Sequence, residues 1–319
     1  MNNSENSPRV PANAVGAAGS ANVVVPANVA VPADTRSRAE KLRALAVALR
    51  VKAPTIFVSV AALSIVFVFI VFPLIVIFRE AFRSGVAVWA ESVSSPDTVA
   101  AIKLTLATAA IVVPVNTVFG VAAAWALAKF DFRGRNFIVA LLDLPFTVSP
   151  VVSGLIFVLL FGIHGWFGTW LADRDIEIIF AFPGIVIATL FVTFPFVARE
   201  LIPLMKEQGS NDEQAALTLG ASPWQMFWRV TLPNIRWGLL YGVLLCAARA
   251  VGEFGAVSVV SGHIRGETNT LPLHVEILYN EYSFTAAFAS ASLLSAVAVV
   301  SIVVKRALEK KLSAGRVAH

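Results

Sequence analysis

The sequence has a single cysteine and few charged residues. Cys246 is the one cysteine among 319 residues, and Asp, Glu, Lys and Arg together make up only 14%. One thiol excludes an intrachain disulfide, and soluble domains carry charge on about a quarter of their residues. Apolar residues dominate instead, at 57% of the chain. The composition therefore indicates a membrane protein.

Catalytic and metal-binding motifs are also missing. The sequence contains no GxxxxGKS or GxxxxGKT phosphate loop, no HExxH and no CxxC. The four histidines are scattered, at His164, His263, His274 and His319. We therefore expect no catalytic site, no metal and no cofactor in this chain, and no ATP hydrolysis by the chain itself.

Long apolar stretches recur along the chain. A helix needs roughly 20 residues at about 1.5 Å each to cross a hydrocarbon layer of about 30 Å. The stretches are continuously apolar, whereas a barrel strand alternates and is about half as long. The sequence therefore predicts an all-α membrane protein with about six transmembrane helices. Their expected bounds are Pro54–Phe78, Leu104–Ala128, Phe137–Phe161, Phe180–Val197, Trp237–Val260 and Phe284–Val304.

Lysine and arginine are unevenly distributed between the spans. Nineteen lie in the two tails and in segments 129–136 and 199–236, against five in the segments on the opposite side. Because cytoplasmic segments carry the excess of Lys and Arg, both termini are expected in the cytoplasm. The net charge of +5 thus reflects topology, and we expect contact with lipid and none with nucleic acid.

The tails differ in composition from the spans. Roughly the first 34 residues are rich in Ala, Val, Asn, Pro and Ser, which predicts disorder and not a signal peptide. Thr35–Lys52 combine helical apolar spacing with several cations, so residues 1–53 are expected to end in a basic amphipathic segment along the cytoplasmic face. Residues 306–319 are expected to form a cytoplasmic tail.

The longest polar segment between spans predicts two short helices. Asn211 can cap the first, with Asp212 and Glu213 in its first turn, where negative charge suits the helix dipole. Gln214 completes a capping box. Gly220 can end this helix in a left-handed conformation.

A second helix is expected to begin immediately afterwards. Ser222 is its cap, Pro223 its first residue and Gln225 the partner in a capping box, and the helix is expected to end before Pro233. Physical reasoning leaves two interpretations open: a surface hairpin packed on its own membrane domain, or a docking element for a cytoplasmic partner. The apolar side chains available for either are Met226, Phe227 and Trp228.

Charged and proline residues interrupt the apolar spans. Arg249 and Glu253 are four residues apart on one predicted helical face, and a bare charge at the bilayer centre costs at least ~2.5 kcal/mol, so they are expected to pair or to face water. A structural or gating pair and direct contact with a transported solute both remain open. Asp143 raises the same question. Prolines that kink spans, either for packing or to line a path, are Pro73, Pro114, Pro145, Pro150, Pro183 and Pro195.

The polar segment carries a family signature. It reads Gln214-Ala215-Ala216, then Gly220, then Val230-Thr231-Leu232-Pro233. This resembles the EAA signature of ATP-binding-cassette (ABC) importer permeases, E-A-A-x3-G-x9-I-x-L-P, with matching spacing. Gln214 stands where the family usually has Glu, and Val230 where it has Ile. In that family the loop inserts a coupling helix into a cleft on a cytoplasmic ATPase. The implied coupling residues are Asp212, Glu213, Gln214, Ala215, Ala216, Gly220, Leu232 and Pro233.

A more specific resemblance follows along the chain. Asn234 to Trp237 and Arg249 to Thr268 are similar to the sulfate and thiosulfate permeases of the CysW type, as is Leu144 to Gly154. The similarity extends over roughly Arg50 to Leu312. It suggests a translocation path or gate at Arg249, Gly252, Glu253, Gly255 and Ser258.

The resemblance implies an assembly. Residues 98–305 would form a type I ABC importer permease core with its coupling loop at 206–236, preceded by an additional helix at 54–78. The implied partners are a CysT-type sister permease, a pair of cytoplasmic ATPase subunits that bind ATP and Mg²⁺, and a periplasmic sulfate- or thiosulfate-binding protein. The implied location is the bacterial inner membrane.

Three other functions are alternatives to a sulfate importer. A related ABC permease for molybdate or thiosulfate differs only in its anion. A gradient-driven secondary transporter would show matching broken helices in two halves and intramembrane carboxylates, and neither is clear in the sequence. A membrane enzyme would need a catalytic cluster, and the sequence shows none.

Overall fold

The computed structural model describes Thr55 and residues 57–317, with side chains described as far as 307. Within that part of the chain the regular structure is helical, and no strand occurs. The predictions for residues 1–53 and for the side chains of most of the carboxyl-terminal tail lie outside it. The chain divides into two compact units, one ending at Val66 and one beginning at Phe67.

The first candidate span is Phe57–Ala81, close to the predicted 54–78. In the first unit, residues 57–66 are helical and most of their apolar side chains are exposed. In the second unit a π-turn at Phe67–Val71 leads into helix α1, Phe72–Ala81. The exposed apolar side chains suit contact with lipid.

Helices α2, Val86–Val93, and α3, Pro96–Lys129, follow. The α3 helix begins eight residues before the predicted span because the Ser95 side chain accepts a hydrogen bond from Thr98 N and caps it. At 34 residues, α3 is about 50 Å long and exceeds the hydrocarbon thickness.

The third predicted span, Phe137–Phe161, is not one straight helix. It consists of α4, Arg135–Thr147, and α5, Pro150–Phe161, which meet at an angle of 106°. Proline disfavours helical geometry at the residue before it, and Ser149 is extended with ψ 135°. Pro150 then begins the new helix, so the prediction of a single span is corrected to a broken pair.

The fourth candidate span is longer than predicted. A short helix α6, Gly168–Ala172, precedes α7, Phe182–Thr193, and α8, Pro195–Gln208. Together α7 and α8 form one candidate span, Phe182–Gln208. Its second half reaches into the segment that the sequence assigned to a polar loop.

The polar segment contains two short helices, as expected, but the second does not end before Pro233. Helix α9, Asn211–Thr218, precedes α10, Pro223–Met226. A π-turn, Phe227–Thr231, joins α10 to α11, Leu232–Val251, in one candidate span, Pro223–Val251. In the π-turn, Leu232 N donates to Phe227 O, five residues earlier and not four. This wider turn accommodates Pro233, so the helix continues beyond it.

The fifth predicted span, Trp237–Val260, is also broken. Helix α11 ends at Val251, and after Gly252 to Phe254 a separate short helix α12, Gly255–Val260, begins. The chain ends in α13, Leu271–Asn280, and α14, Phe284–Val317, which continues past the predicted end at Val304. Among the described residues there are five candidate spans, or six if α4 and α5 count as one.

The core lies where α3, α8 and α11 pack together. Gly120 of α3 lies so close to α8 that an added Cβ would approach the Val197 Cβ to 2.6 Å. Small residues allow such close approach of membrane helices. The buried residues of this cluster are Val121, Ala124, Val197, Leu201, Met205, Ile235 and Cys246.

Candidate functional site

The first short helix of the polar segment begins one residue earlier than predicted. Ser210 holds the N-cap position of α9, so the assignment of Asn211 as cap is corrected. Gln214 Nε2 donates to Ser210 Oγ at 3.2 Å, which ties the first turn together. Asn234 Nδ2 donates to Asp212 Oδ2 at 3.2 Å, so Asp212 links α9 to the start of α11.

The turn between α9 and α10 depends on Gly220. Its φ is +88°, a left-handed conformation that suits glycine. Ala221 N donates to Ala216 O and Gly220 N to Leu217 O, which is the Schellman pattern of a helix end. The carbonyl of Ala215 accepts from Leu219 N. The predicted left-handed end of this helix is confirmed.

The second short helix carries the predicted capping box. Ser222 Oγ accepts from Gln225 N at 3.2 Å, and Gln225 Oε1 accepts from Ser222 N at 3.1 Å. The α9–α10 hairpin leaves large apolar side chains exposed: Leu219 88%, Trp224 68% and Trp228 51%. The Trp224 and Trp228 rings contact each other, with centroids 5.6 Å apart, whereas Met226 is buried and Phe227 packs against Trp125 of α3.

Glu213 is buried and joins the hairpin to the end of α3 and to the π-turn before α11. Its Oε2 lies 3.0 Å from Lys129 Nζ, with side-chain exposures of 10% and 8%, and its Oε1 accepts from Thr231 Oγ1 at 2.7 Å. Lys129 Nζ also donates to Gly209 O. Gln214 occupies the position where the EAA signature usually has Glu, but the neighbouring Glu213 provides the carboxylate.

These contacts place the segments at opposite ends of the bundle. The Lys129 contacts bring the end of α3 beside the hairpin, at one end. Arg265 pairs with Asp97 at 3.7 Å and with Glu281 at the other end, near the start of α3. Lys129 and the hairpin, which the charge count grouped on one side, lie at one end, and Arg265, which it grouped on the other side, lies at the other end.

Arg249 and Glu253 form the predicted ion pair. Arg249 Nη1 lies 2.5 Å from Glu253 Oε2. They do not share one helix, however, because Gly252 ends α11 and Glu253 lies in the break that follows. The buried Glu253 also accepts from Ala256 N at 2.9 Å and so fixes the first turn of α12.

The two broken helices meet beside this ion pair. A Cβ on Gly255 would lie 2.9 Å from Pro150 Cβ, and one on Gly154 would lie 2.8 Å from both Ala256 O and Val259 Cβ. Helices α5 and α12 therefore pack with their breaks side by side. Ser258 Oγ donates to Gly255 O at 2.9 Å.

Asp143 has a partner that the sequence left unassigned. Arg199 Nη2 lies 2.9 Å from Asp143 Oδ1, and the Arg199 guanidinium lies 4.7 Å from the Phe146 ring centroid. Helices α4 and α8 are thus joined by an ion pair and a cation–π contact.

The predicted residues fall into two sites. Asp212 to Gly220 lie in the hairpin, with Leu232 and Pro233 at the start of α11, and Arg249 to Ser258 lie at its other end. At 20 residues, α11 separates the two by about 30 Å. Two features were not predicted: the role of Lys129 as the partner of Glu213, and the contacts of Gly255 with Pro150 and of Gly154 with Ala256. The only available signal was that segment 129–136 and the hairpin share one predicted side.

Helices that are long and apolar enough to cross a membrane, some of them broken within the span, are the architecture expected of a membrane transport protein. The chain belongs to the family of binding-protein-dependent transport system inner membrane components. The sequence model of that family matches residues 116–314.

Similar proteins agree with this membership. The sulfate transport system permease protein CysW of Synechocystis sp. is 56% identical over 75% of this chain and 87% of its own length. The protein of the same name from Escherichia coli K12 is 52% identical, over 75% and 82%. The sulfate transport system permease protein CysT of Escherichia coli K12 is 38% identical, over 72% and 83%.

A solved structure has the same fold. It is a bacterial ABC transporter involved in the import of the acidic polysaccharide alginate, with a TM-score of 0.70 over 84% of this chain and 98% of that chain. The identity is 15%, so this likeness concerns the fold. The prediction of an all-α ABC importer permease is confirmed.

Proposed function

We propose that this chain is the CysW-type permease subunit of an ATP-driven importer for sulfate, and for thiosulfate as a second substrate. The observation that carries the proposal is the identity of 56% and 52% to proteins named sulfate transport system permeases, over most of their length. The chain itself supplies a path through the membrane, and its sequence contains no GxxxxGKS or GxxxxGKT phosphate loop.

The proposed complex contains a CysT-type sister permease, two ATPase subunits that bind ATP and Mg²⁺, and a periplasmic binding protein. The likeness to the CysT protein supports the first partner. A related structure contains alginate and a periplasmic protein bound to its transporter, which supports the last. The Lys and Arg counts support an orientation with both termini and the hairpin in the cytoplasm. The family description supports a location in the inner membrane.

The α9–α10 hairpin is the proposed ATPase-docking element. Its exposed Trp224, Trp228 and Leu219 give it an apolar surface, and its capped helices and Gly220 turn give it a defined shape. An aromatic patch on a rigid element suits insertion into a cleft of the ATPase.

The break between α11 and α12 is the proposed gate region of the path. Sulfate is a dianion, so its desolvation must be offset by cations or backbone donors. The Arg249 side chain is partly exposed there, at 32%, whereas Glu253 is buried beneath it. Arg249 can therefore face a wet path while Glu253 holds it in place.

Uptake of radiolabelled sulfate tests the function. A host that lacks its own W-type permease is compared with and without this chain, together with its cognate sister permease, ATPase and binding protein. We expect uptake that requires ATP and is reduced by excess thiosulfate. A complex that assembles in the membrane but takes up molybdate in preference to sulfate would contradict the substrate. Uptake that continues without the ATPase would contradict the mechanism.

A further inference from the structure

Four helix ends meet at the buried pair of Lys129 and Glu213. Lys129 is the last residue of α3, and Glu213 lies in the first turn of α9. Thr231, which donates to Glu213, ends the π-turn before α11, and Gly209, which accepts from Lys129, follows the last residue of α8. We call Lys129, Glu213, Thr231 and Gly209 the hairpin anchor.

The anchor is more strongly buried than the ion pair in the neighbouring loop. The Lys129 and Glu213 side chains are 8% and 10% exposed, whereas Asp131 and Arg135 in the neighbouring loop are 96% and 30% exposed. A buried pair is screened little by solvent, and removing one partner leaves a charge without compensation. The Lys129–Glu213 pair is thus the contact between the hairpin and the spans that is most costly to break.

A second polar link between the hairpin and the spans is exposed to solvent. Helix α9 packs against the π-turn and α10, and its polar link to α11 runs through Asp212 and Asn234, both exposed. Because Lys129 also holds the carbonyl of Gly209 at the end of α8, a displacement of α9 acts on α3, α8 and α11 together.

We propose that the hairpin anchor transmits movement of the coupling hairpin to the membrane spans, so that Lys129 and Glu213 are positioning residues of the ATP-driven cycle. The inference rests on the proposed function, in which an ATPase pulls the hairpin. It assigns to the basic residue at the end of α3 a role that lies outside the signature loop. If the contact between Lys129 and Glu213 is broken, the hairpin still docks on the ATPase. Its movement is then no longer transmitted to the translocation path.

The test uses the complete complex reconstituted in proteoliposomes. Sulfate imported per ATP hydrolysed is measured for wild type, Lys129→Met, Glu213→Gln and Thr231→Val. We expect Lys129→Met to retain ATP hydrolysis but to lower this ratio by about tenfold, within the range by which coupling networks change on mutation. Thr231→Val keeps the ion pair and is expected to lower the ratio of sulfate imported to ATP hydrolysed by about threefold. Lys129→Arg keeps the charge and is expected to restore a ratio near wild type.

Asp131→Asn is the matched control, since it removes an exposed ion pair from the same loop. An assembled Lys129→Met complex with the wild-type ratio would overturn the proposal. If the Lys129→Met complex fails to assemble, the Thr231→Val complex provides the test. An assembled Thr231→Val complex with the wild-type ratio of sulfate imported to ATP hydrolysed would show that the anchor serves folding alone. Wild-type uptake reports on the proposed function and the variant ratio on the anchor, so the two can fail separately.

Discussion

Arg249 and Glu253 are joined across the end of a helix and not along it. Arg249 lies in the last turn of α11, and Glu253 lies in the break beyond it, where its other oxygen accepts a hydrogen bond from Ala256 N. The carboxylate is buried and the guanidinium is one-third exposed. The two members of the pair therefore have different environments.

Replacing Arg249 should cost more than neutralising Glu253. Arg249→Ala leaves a buried carboxylate without its cation, which costs up to about 3 kcal/mol, while Glu253→Gln keeps an oxygen for Ala256 N. We expect Arg249→Ala to lower both the thermal stability of the purified chain in detergent and sulfate uptake by the complex. Equal effects of the two substitutions on uptake and stability would contradict this order.

Exchanging the two charges should not restore function. In Arg249→Glu/Glu253→Arg, the arginine at 253 has no acceptor for Ala256 N, so the first turn of α12 loses its cap. We expect the double variant to be no more active in uptake than Arg249→Ala. Recovery of wild-type uptake would mean that the pair acts only through its mutual attraction.

Gly220 should tolerate asparagine better than alanine. No atom lies within 4 Å of a Cβ added there, so the cost comes from the left-handed backbone, about 1 kcal/mol for alanine and less for asparagine. We expect Gly220→Ala to lower the thermal midpoint and the amount of ATPase retained on purification, with Gly220→Asn closer to wild type. Gly220→Pro, whose ring fixes a negative φ, should abolish ATPase retention. Wild-type retention by the proline variant would exclude a role for this turn in docking.

Gly154 should be intolerant of a methyl group. An added Cβ would lie 2.8 Å from the backbone oxygen of Ala256, which cannot move aside alone, and overpacking of this kind costs about 1–3 kcal/mol. We expect Gly154→Ala to lower the thermal midpoint in detergent. Val152→Ala on the exposed face of the same helix is the control and should change the midpoint little. A Gly154→Ala variant as stable as wild type would mean that α5 and α12 can separate at no cost.

His274 should make stability depend on pH. Burial lowers the pKa of this histidine below its ordinary value, with smaller effects from Asp97, Arg265 and Glu281. Its ring nitrogens lie 3.0 Å from Thr98 Oγ1 and 3.3 Å from Asn269 Nδ2. The unfolded chain then binds a proton more readily than the folded chain, so stability is lost as pH falls below about 6.5.

Thermal unfolding in detergent between about pH 8 and pH 5 measures this effect. We expect the midpoint of wild type to fall more steeply with acidification than that of His274→Gln, which cannot titrate at this position. Parallel curves for the two proteins would show that His274 contributes no proton linkage.

Much of the fold was predictable because its signals are local. Hydropathy and length gave the membrane class and the number of spans, and the Ser222 capping box depends only on residues within one turn. Local signals also misled at two points. Pro233 predicts a helix end, but the π-turn before it carries the helix through, and Ser210 displaces Asn211 as the cap. The coupling and gate assignments, and the cytoplasmic orientation, stay predictions.

The sequence by itself determined that this chain is a helical membrane permease of the ABC importer family, with a signature hairpin between two of its spans. Apolar run length and motif spacing need no knowledge of packing. Only the tertiary structure decided that Lys129 pairs with Glu213, that Arg199 pairs with Asp143, and that the helix breaks meet at Gly154 and Gly255. These contacts join segments far apart in the sequence, so they exist only once the helices have packed.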